Sequence, residues 1–285
     1  MNYLITGRNG QLAQAFIKRF EREGTEFLAP DETHLDITDV SKVMKVVEES
    51  RPDVIINCAA YNLVDHAEKE PEKAFAVNAE GPKILAKAAY VFGSFFVHYS
   101  SDYVFDGMKE NGLYHENDVT NPLNEYGRCK LAGEKMVGEE SGESLIFRLS
   151  WVFGEGKQNF ISKLIEWTEK SEYLKISCDE FSVPTYTGTV VDVTLKALDK
   201  GVTGLYHLTN SGFCSRYEWA KYILSSVGIK KFIRPVSMDV FNLPAKRPKF
   251  SAMSNQQISD LTGARIPSWE EAVSAFLHDK GSRHE

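Results

Sequence analysis

The opening stretch of this chain constrains its fold more than any other segment. Met1-Asn2-Tyr3-Leu4-Ile5-Thr6-Gly7-Arg8-Asn9-Gly10-Gln11-Leu12-Ala13 is a short apolar run, a glycine turn, and then a helical pattern with Phe16, Ile17 and Phe20 on one side. That order reads as strand, turn, helix. Gly7 and Gly10 let backbone approach a pyrophosphate at the helix N-terminus, where free N–H groups and the helix dipole favour an anion. Ala13 supplies a third small residue where helix packs on strand. The GxxGxxA spacing departs from GxGxxG, so the turn alone also fits a plain βα connection. Its position directly after a strand is what carries information.

Further strands are expected at 26–29, 54–57, 95–100 and 145–148, with helical patterns at 40–50 and 72–91 between them. Such alternation implies an α/β fold, a Rossmann-type doubly wound parallel sheet over residues 1–150. Residues 151–285 are expected to form a smaller, mainly substrate-binding C-terminal lobe, with helices near 160–172, 217–227 and 269–278 and chain crossings back to the sheet. The length suits that division and gives ample core.

Ligands of such sheets lie beyond the carboxyl ends of the strands, so the residues there are the ones to read. They are Gly7, Arg8, Gly10, Gln11 and Leu12 after the first strand, Asp36 and Ile37 after the second, Cys58-Ala59-Ala60-Tyr61-Asn62 after the third, and Ser100-Ser101-Asp102-Tyr103 after the fourth. Asp36 and Ile37 are placed to frame an adenine, and the small Ala59 and Ala60 leave room for ribose and phosphates. An acidic residue ending the second strand would bond the 2′-hydroxyl of NAD, but that strand runs out at Ala29-Pro30. Arg8 can instead meet a 2′-phosphate, which tilts the reading slightly toward NADPH and leaves NADH open.

Tyr126 and Lys130 stand four residues apart and so share one face of a helix. A cation beside a phenol favours phenolate, so the Tyr126 pKa is expected to fall from about 10 by roughly one to three units. Such a phenol can protonate a carbonyl oxygen near neutral pH. YxxxK pairs also arise by chance, and the neighbours decide. Ser101 ends the fourth strand with a hydroxyl able to donate to a substrate carbonyl. Together Ser101, Tyr126 and Lys130 suit ketone reduction with a hydride from NADPH or NADH.

Six motifs make the reading specific: Gly7-x-x-Gly10-Gln11-Leu12, Pro52-Asp53-Val54-Ile55-Ile56-Asn57, Val64-Asp65-x-Ala67-Glu68-x-Glu70-Pro71, Tyr99-Ser100-Ser101-Asp102-Tyr103-Val104-Phe105-Asp106-Gly107, Pro122-Leu123-Asn124-x-Tyr126-Gly127-x-x-Lys130-Leu131-Ala132-Gly133-Glu134 and Arg148-x-Ser150-Trp151-Val152. In these the chain resembles the dTDP-4-dehydrorhamnose reductase family of extended short-chain dehydrogenase/reductases. The resemblance implies reduction of the 4-keto group of dTDP-4-dehydro-β-L-rhamnose by NAD(P)H. It makes Tyr126 the proton donor and Lys130 its partner, and puts Ser101 where the family often has threonine. Asp102, Tyr103 and Trp151 fall where relatives contact the sugar nucleotide. Departures concentrate later, at Phe181-Ser182-Val183-Pro184-Thr185 and at Lys249-Phe250-Ser251 after Arg247-Pro248. Some relatives bind a divalent cation through glutamates at a dimer contact, but Gln14 is neutral there, so no metal is expected.

A net charge of −7 gives no basic footprint for nucleic acid. The dTDP must then be held by local cations, for which Arg247 is a candidate. No apolar run is long enough to span a bilayer and no signal peptide precedes the first strand, so a cytoplasmic protein is expected, acting on a small molecule and compatible with a homodimer. Cys58, Cys129, Cys178 and Cys214 lack metal-site spacing and read as reduced thiols, with Cys129 as packing. Two other readings compete. One is a non-catalytic regulatory subunit of the same fold, against which an intact Ser101, Tyr126 and Lys130 argue. The other is an epimerase or dehydratase on another nucleotide sugar, for which dehydration needs a further acid beside the tyrosine.

Overall fold

In the computed structural model, which describes residues 1–140, 143–156 and 158–281, six parallel strands form one central sheet. Five are β1 (Tyr3–Thr6), β2 (Phe27–Leu28), β3 (Val54–Asn57), β4 (Phe95–Ser101) and β5 (Ser144–Leu149). The sixth, Gly204–His207, comes from the second half of the chain and pairs with β5, Leu205 opposite Ile146. From that edge the order runs Gly204–His207, β5, β4, β3, β1, β2. The chain therefore leaves β1 in one direction to make β2 and returns on its other side as β3. That reversal opens a crevice beyond Thr6 and Asn57, the adjacent ends of β1 and β3.

The sheet is buried on both faces, as its unbroken apolar strands require. On one face Phe16, Ile17 and Phe20 of helix α1 (Gln11–Glu23) meet Tyr3, Ile5, Val97 and Phe147. Val190, Val191 and Ala197 of the helix Thr187–Asp199 join that same core, although they follow Trp151 in the chain. On the other face Val43 and Val47 of α2 (Val40–Ser50) and Leu85, Ala86 and Ala89 of the helix Gly81–Phe92 cover Leu4, Ile55 and Phe96. A separate core gathers around Phe153, Trp219, Ile223 and Phe276, all from beyond residue 150.

Two elements differ from the sequence reading. The second strand is shorter, Phe27–Leu28, and the helix expected over 72–91 is interrupted. It runs as Pro71–Phe75, a π turn at Ala76–Glu80, and Gly81–Phe92. The interruption turns Asn78 inward, where its Oδ1 accepts from the Tyr61 amide at 2.9 Å and its Nδ2 donates to the Tyr61 carbonyl at 3.0 Å. Gly81 follows because a Cβ there would lie 2.6 Å from Ile37 Cδ1. Among the described residues no helix is long and apolar enough to cross a membrane.

Candidate active site

The glycine turn is shaped for close approach. Gly7 has φ +69°, and a Cβ on it would sit 2.6 Å from the Ala59 amide nitrogen, so β1 and β3 can end side by side only with glycine there. Thr6 Oγ1 donates to Asn57 Oδ1 at 2.6 Å and stitches the two strand ends together. Gly10 then starts α1 with no side-chain cap and no acidic residue in the first turn. The first amides of α1 are thus left for a ligand, and the helix dipole favours an anion.

Two adjoining cavities open around this turn. The outer one, about 350 Å³, is lined by Gly7, Arg8, Gly10, Asp36, Ile37, Ala59, Ala60 and Asn62, together with Glu32. The inner one, about 280 Å³, shares Gly10, Ala59, Ala60 and Asn62 and adds Gln11, Leu12, Ser101, Asp102, Tyr126, Lys130 and Trp151. They form one trough along the sheet's carboxyl edge. Gln11 Oε1, Ser100 Oγ and Trp151 Nε1 are buried around the inner cavity without a hydrogen-bond partner among the described residues. Buried polar atoms are normally satisfied, so this lining suits a polar ligand. The trough, its open helix end and these atoms together fit a dinucleotide.

Ser101, Tyr126 and Lys130 meet in the inner cavity because the helix Glu125–Glu140 is held tightly against the turn that follows β4 and against the π turn at Ala76–Glu80. A Cβ on Gly127 would lie 2.2 Å from the Tyr103 carbonyl oxygen, and one on Gly133 2.2 Å from that of Asn78. Asn124 accepts from the Gly127 amide at 2.8 Å and caps the helix. Ser101 ends β4, and its Oγ donates to Asp102 Oδ1 at 3.1 Å while accepting from the Tyr103 amide at 3.2 Å. Lys130 is 2% exposed and its Nζ donates to the Tyr99 carbonyl at 2.6 Å. Burial brings the Lys130 pKa down to about 8, against the opposing pull of the Glu134 charge.

The phenol of Tyr126 behaves opposite to the sequence expectation. Burial pushes its pKa up to about 12; contact with Ser101 pulls it down and the Asp102 charge adds to the rise. The spacing brings Lys130 to the same cavity, but its ammonium is turned to the Tyr99 carbonyl and desolvation of the phenol dominates. Tyr126 is therefore a phenol at neutral pH, the form that can give a proton.

Trp151 is held in a left-handed backbone conformation, φ +38°. Its ring stacks on Trp219 at 5.7 Å, and the Arg216 guanidinium lies 3.6 Å from its centroid. Asp102 lines the inner cavity, yet its carboxylate is occupied by serine hydroxyls.

Of the other residues singled out in the sequence, Tyr61, Tyr103 and Arg247 lie off the trough. The Tyr61 phenol donates to Glu70 at 2.6 Å, and its ring packs with Ala67, Ala74 and Cys129. Tyr103 is buried with its ring edge-on to Tyr126 at 5.8 Å. Arg247 makes a bidentate pair with Asp65, at 3.0 and 2.7 Å, and lines a different cavity of about 530 Å³. Arg8 does border the outer cavity while donating to the Ala29 carbonyl at 3.0 Å. The Asp36 carboxylate is taken by the Thr38 amide and hydroxyl. Asn57 and Gln158 also line the trough and were not singled out; Gln158 lies in an irregular loop with no local signature, whereas Asn57 could have been read as the polar end of an apolar strand. Among the described residues no three His, Cys, Asp or Glu stand together as a metal site.

Residues 1–281 match the family described as RmlD substrate binding domain. The chain is 35% identical to a dTDP-4-dehydrorhamnose reductase of Burkholderia thailandensis, over 98% of this chain and 99% of that protein. Its fold is similar to the crystal structure of a dTDP-4-dehydrorhamnose reductase from Clostridium acetobutylicum, with a TM-score of 0.95, 37% identity and coverage of 99% and 100% of the two chains. A Bacillus anthracis dTDP-4-dehydrorhamnose reductase, solved in complex with NADP, gives a TM-score of 0.93 at 37% identity over 98% and 99%. Match and coverage both extend across nearly the whole length, and the chain belongs to the dTDP-4-dehydrorhamnose reductase family.

Proposed function

We propose that this protein reduces the 4-keto group of dTDP-4-dehydro-β-L-rhamnose to give dTDP-β-L-rhamnose, in the cytoplasm, with NADPH or NADH. The observation that carries the reading is the convergence of Ser101, Tyr126 and Lys130 in one cavity that runs on into the glycine-turn trough. Family membership supports the substrate, and the NADP complex of the Bacillus anthracis relative supports the cofactor class. Gly7, Arg8, Gly10, Gln11, Leu12, Asp36, Ile37, Ala59, Ala60 and Asn62 hold the dinucleotide along that trough, with Arg8 beside the adenosine ribose. Bound there, the reduced nicotinamide supplies the hydride.

The chain's own residues do the rest. Tyr126, kept as a phenol by burial, gives its proton to the oxygen of the reacting ketone. Ser101 bonds the same oxygen, and Lys130 holds the nicotinamide ribose beside Tyr126. Trp151, which lines the same cavity, borders the sugar. The test is direct. Purified protein given dTDP-4-dehydrorhamnose and either reduced cofactor consumes that cofactor, as read by its absorbance; no consumption with either rejects the proposal.

Gly7 supplies a second test. Ala at this position meets both a left-handed backbone and the Ala59 amide, a cost of roughly 1–3 kcal/mol. Gly7→Ala is expected to weaken NADPH binding by about tenfold to a hundredfold in a fluorescence titration. Wild-type affinity in the variant would remove the turn from the cofactor site.

A further inference from the structure

Arg216 is the first residue of the helix Arg216–Ser226, fixed there by the capping box of Ser215 and Glu218. Its guanidinium carbon lies 3.6 Å from the Trp151 ring centroid, 5.3 Å from that of Phe160 and 5.6 Å from that of Trp219. A guanidinium stacked on rings keeps its charge and its planar fork, and the rings hold its orientation. One edge of the fork is lightly anchored: Nε reaches Glu180 Oε2 at 3.4 Å, and the Arg216 amide donates to the Glu180 carbonyl at 3.3 Å. The two Nη groups donate to no acceptor among the described residues, and the side chain is 22% exposed. Arg247 is the opposite case. Both of its Nη groups are bonded to Asp65, one of them also to the Ala245 carbonyl, so its fork is already filled.

The place of this fork matters as much as its free donors. Trp151, which Arg216 covers, lines the inner cavity together with Tyr126. Tyr103 stands edge-on to Tyr126 at 5.8 Å, and its phenol is acted on by the charges of Glu180, Asp102, Arg247 and Arg216. Arg216 therefore neighbours two residues that adjoin Tyr126. In a 4-keto pyranose the anomeric carbon lies across the ring from the ketone. With the ketone oxygen at Tyr126, the group carried on the anomeric carbon must lead away from Tyr126.

We propose that Arg216 is the cation that holds the diphosphate of the sugar nucleotide, its two free Nη groups donating to phosphate oxygens while Trp151, stacked against it, borders the sugar. A guanidinium fork matches phosphate geometry with two parallel charge-assisted bonds, and one already oriented by stacking loses little freedom on binding. Glu180 holds the inner edge of the guanidinium through Nε and leaves the outer edge to the ligand. The contact deepens the proposed reductase reading, whose substrate it serves, and rests on it.

The test compares dTDP with thymidine, which carries no phosphate, by calorimetric titration of protein saturated with NADPH. Arg216→Met keeps an unbranched stem over Trp151 and removes the charge. It is expected to weaken dTDP binding by about ten- to a hundredfold, the range for a lost bond to a charged group, and to leave thymidine within about twofold of wild type. NADPH affinity should stay at the wild-type level, because that diphosphate lies at the start of α1. In steady-state assays KM for dTDP-4-dehydrorhamnose rises by a similar factor while kcat changes little. Arg216→Met leaves the buried Glu180 without its cation, so Arg216→Met with Glu180→Gln is measured beside it; the same selective loss is expected there, and this double variant decides if the single one does not fold. Wild-type dTDP affinity in the folded variants overturns the proposal. So does a loss equal for dTDP and thymidine, which would leave Arg216 as packing for Trp151. Turnover of the wild type is scored separately: protein that binds dTDP through Arg216 without reducing the ketone keeps this contact and loses the reductase reading, whereas wild type that binds neither nucleotide loses both.

Discussion

Tyr126→Phe is expected to lower turnover by roughly 10²- to 10⁴-fold, the usual scale for a positioned proton donor, with NADPH affinity near wild type. The substitution removes one oxygen from a ring that is otherwise held by packing, its edge-to-face contact with Tyr103 at 5.8 Å included. The helix should therefore keep its place, and Lys130 its bond to the Tyr99 carbonyl. The loss should fall on kcat, because the proton is given only as negative charge develops on the ketone oxygen. Since the phenol sits high, near pKa 12, wild-type activity should show no alkaline decline from Tyr126 through neutral pH. Steady-state kinetics and a cofactor titration check both parts, and a variant that turns over at the wild-type rate ends the assignment.

The second large effect concerns stability. Glu134 and Arg148 are buried, and the pair is bidentate, Nε to Oε1 at 2.9 Å and Nη2 to Oε2 at 2.8 Å. Glu134→Gln leaves the Arg148 charge in the interior with its main counter-ion gone, which typically costs about 3–5 kcal/mol. A fall in Tm on the order of 10 °C follows for a chain of this size. Glu134 lies on the same helix as Tyr126 and Lys130, and its charge raises the Lys130 pKa, so the variant should also push that ammonium further down. Replacing both partners, Glu134→Gln with Arg148→Met, is expected to recover much of the loss, because no unpaired charge remains. Thermal unfolding by circular dichroism compares both variants with wild type. A single variant within about 1 kcal/mol of wild type would mean that solvent reaches Arg148 after all.

How far these features can be read from sequence depends on how local their causes are. The glycine turn, the strand at 54–57 and the α2 helix at 40–50 follow from short-range pattern and turn chemistry, and the structure has each of them in place. The i, i+4 spacing likewise brings Tyr126 and Lys130 to one cavity. It does not say where the ammonium points or how deeply the phenol is buried: the ammonium is held by the Tyr99 carbonyl, on a strand 31 residues away, and burial sets the sign of the Tyr126 shift. Arg247 pairs with Asp65 across 182 residues, and Ser251 reaches Asp102 across 149. No window on the sequence contains both members of such pairs. The π turn at Ala76–Glu80 was hidden for a related reason, since the residues around it keep a helical pattern and only the inward Asn78 gives it purpose.

The strand Gly204–His207 has a consequence for biosynthesis. Until it is translated, β5 is the outermost strand of the sheet, with an unpaired backbone edge, and α1 lacks the cover of Thr187–Asp199. A nascent polypeptide stalled near residue 150 would thus display a sticky margin able to recruit neighbouring chains. Completion of the central sheet waits for the ribosome to deliver sequence from the second half of the chain, so chaperone occupancy should peak on that incomplete intermediate and drop once residues 204–207 dock.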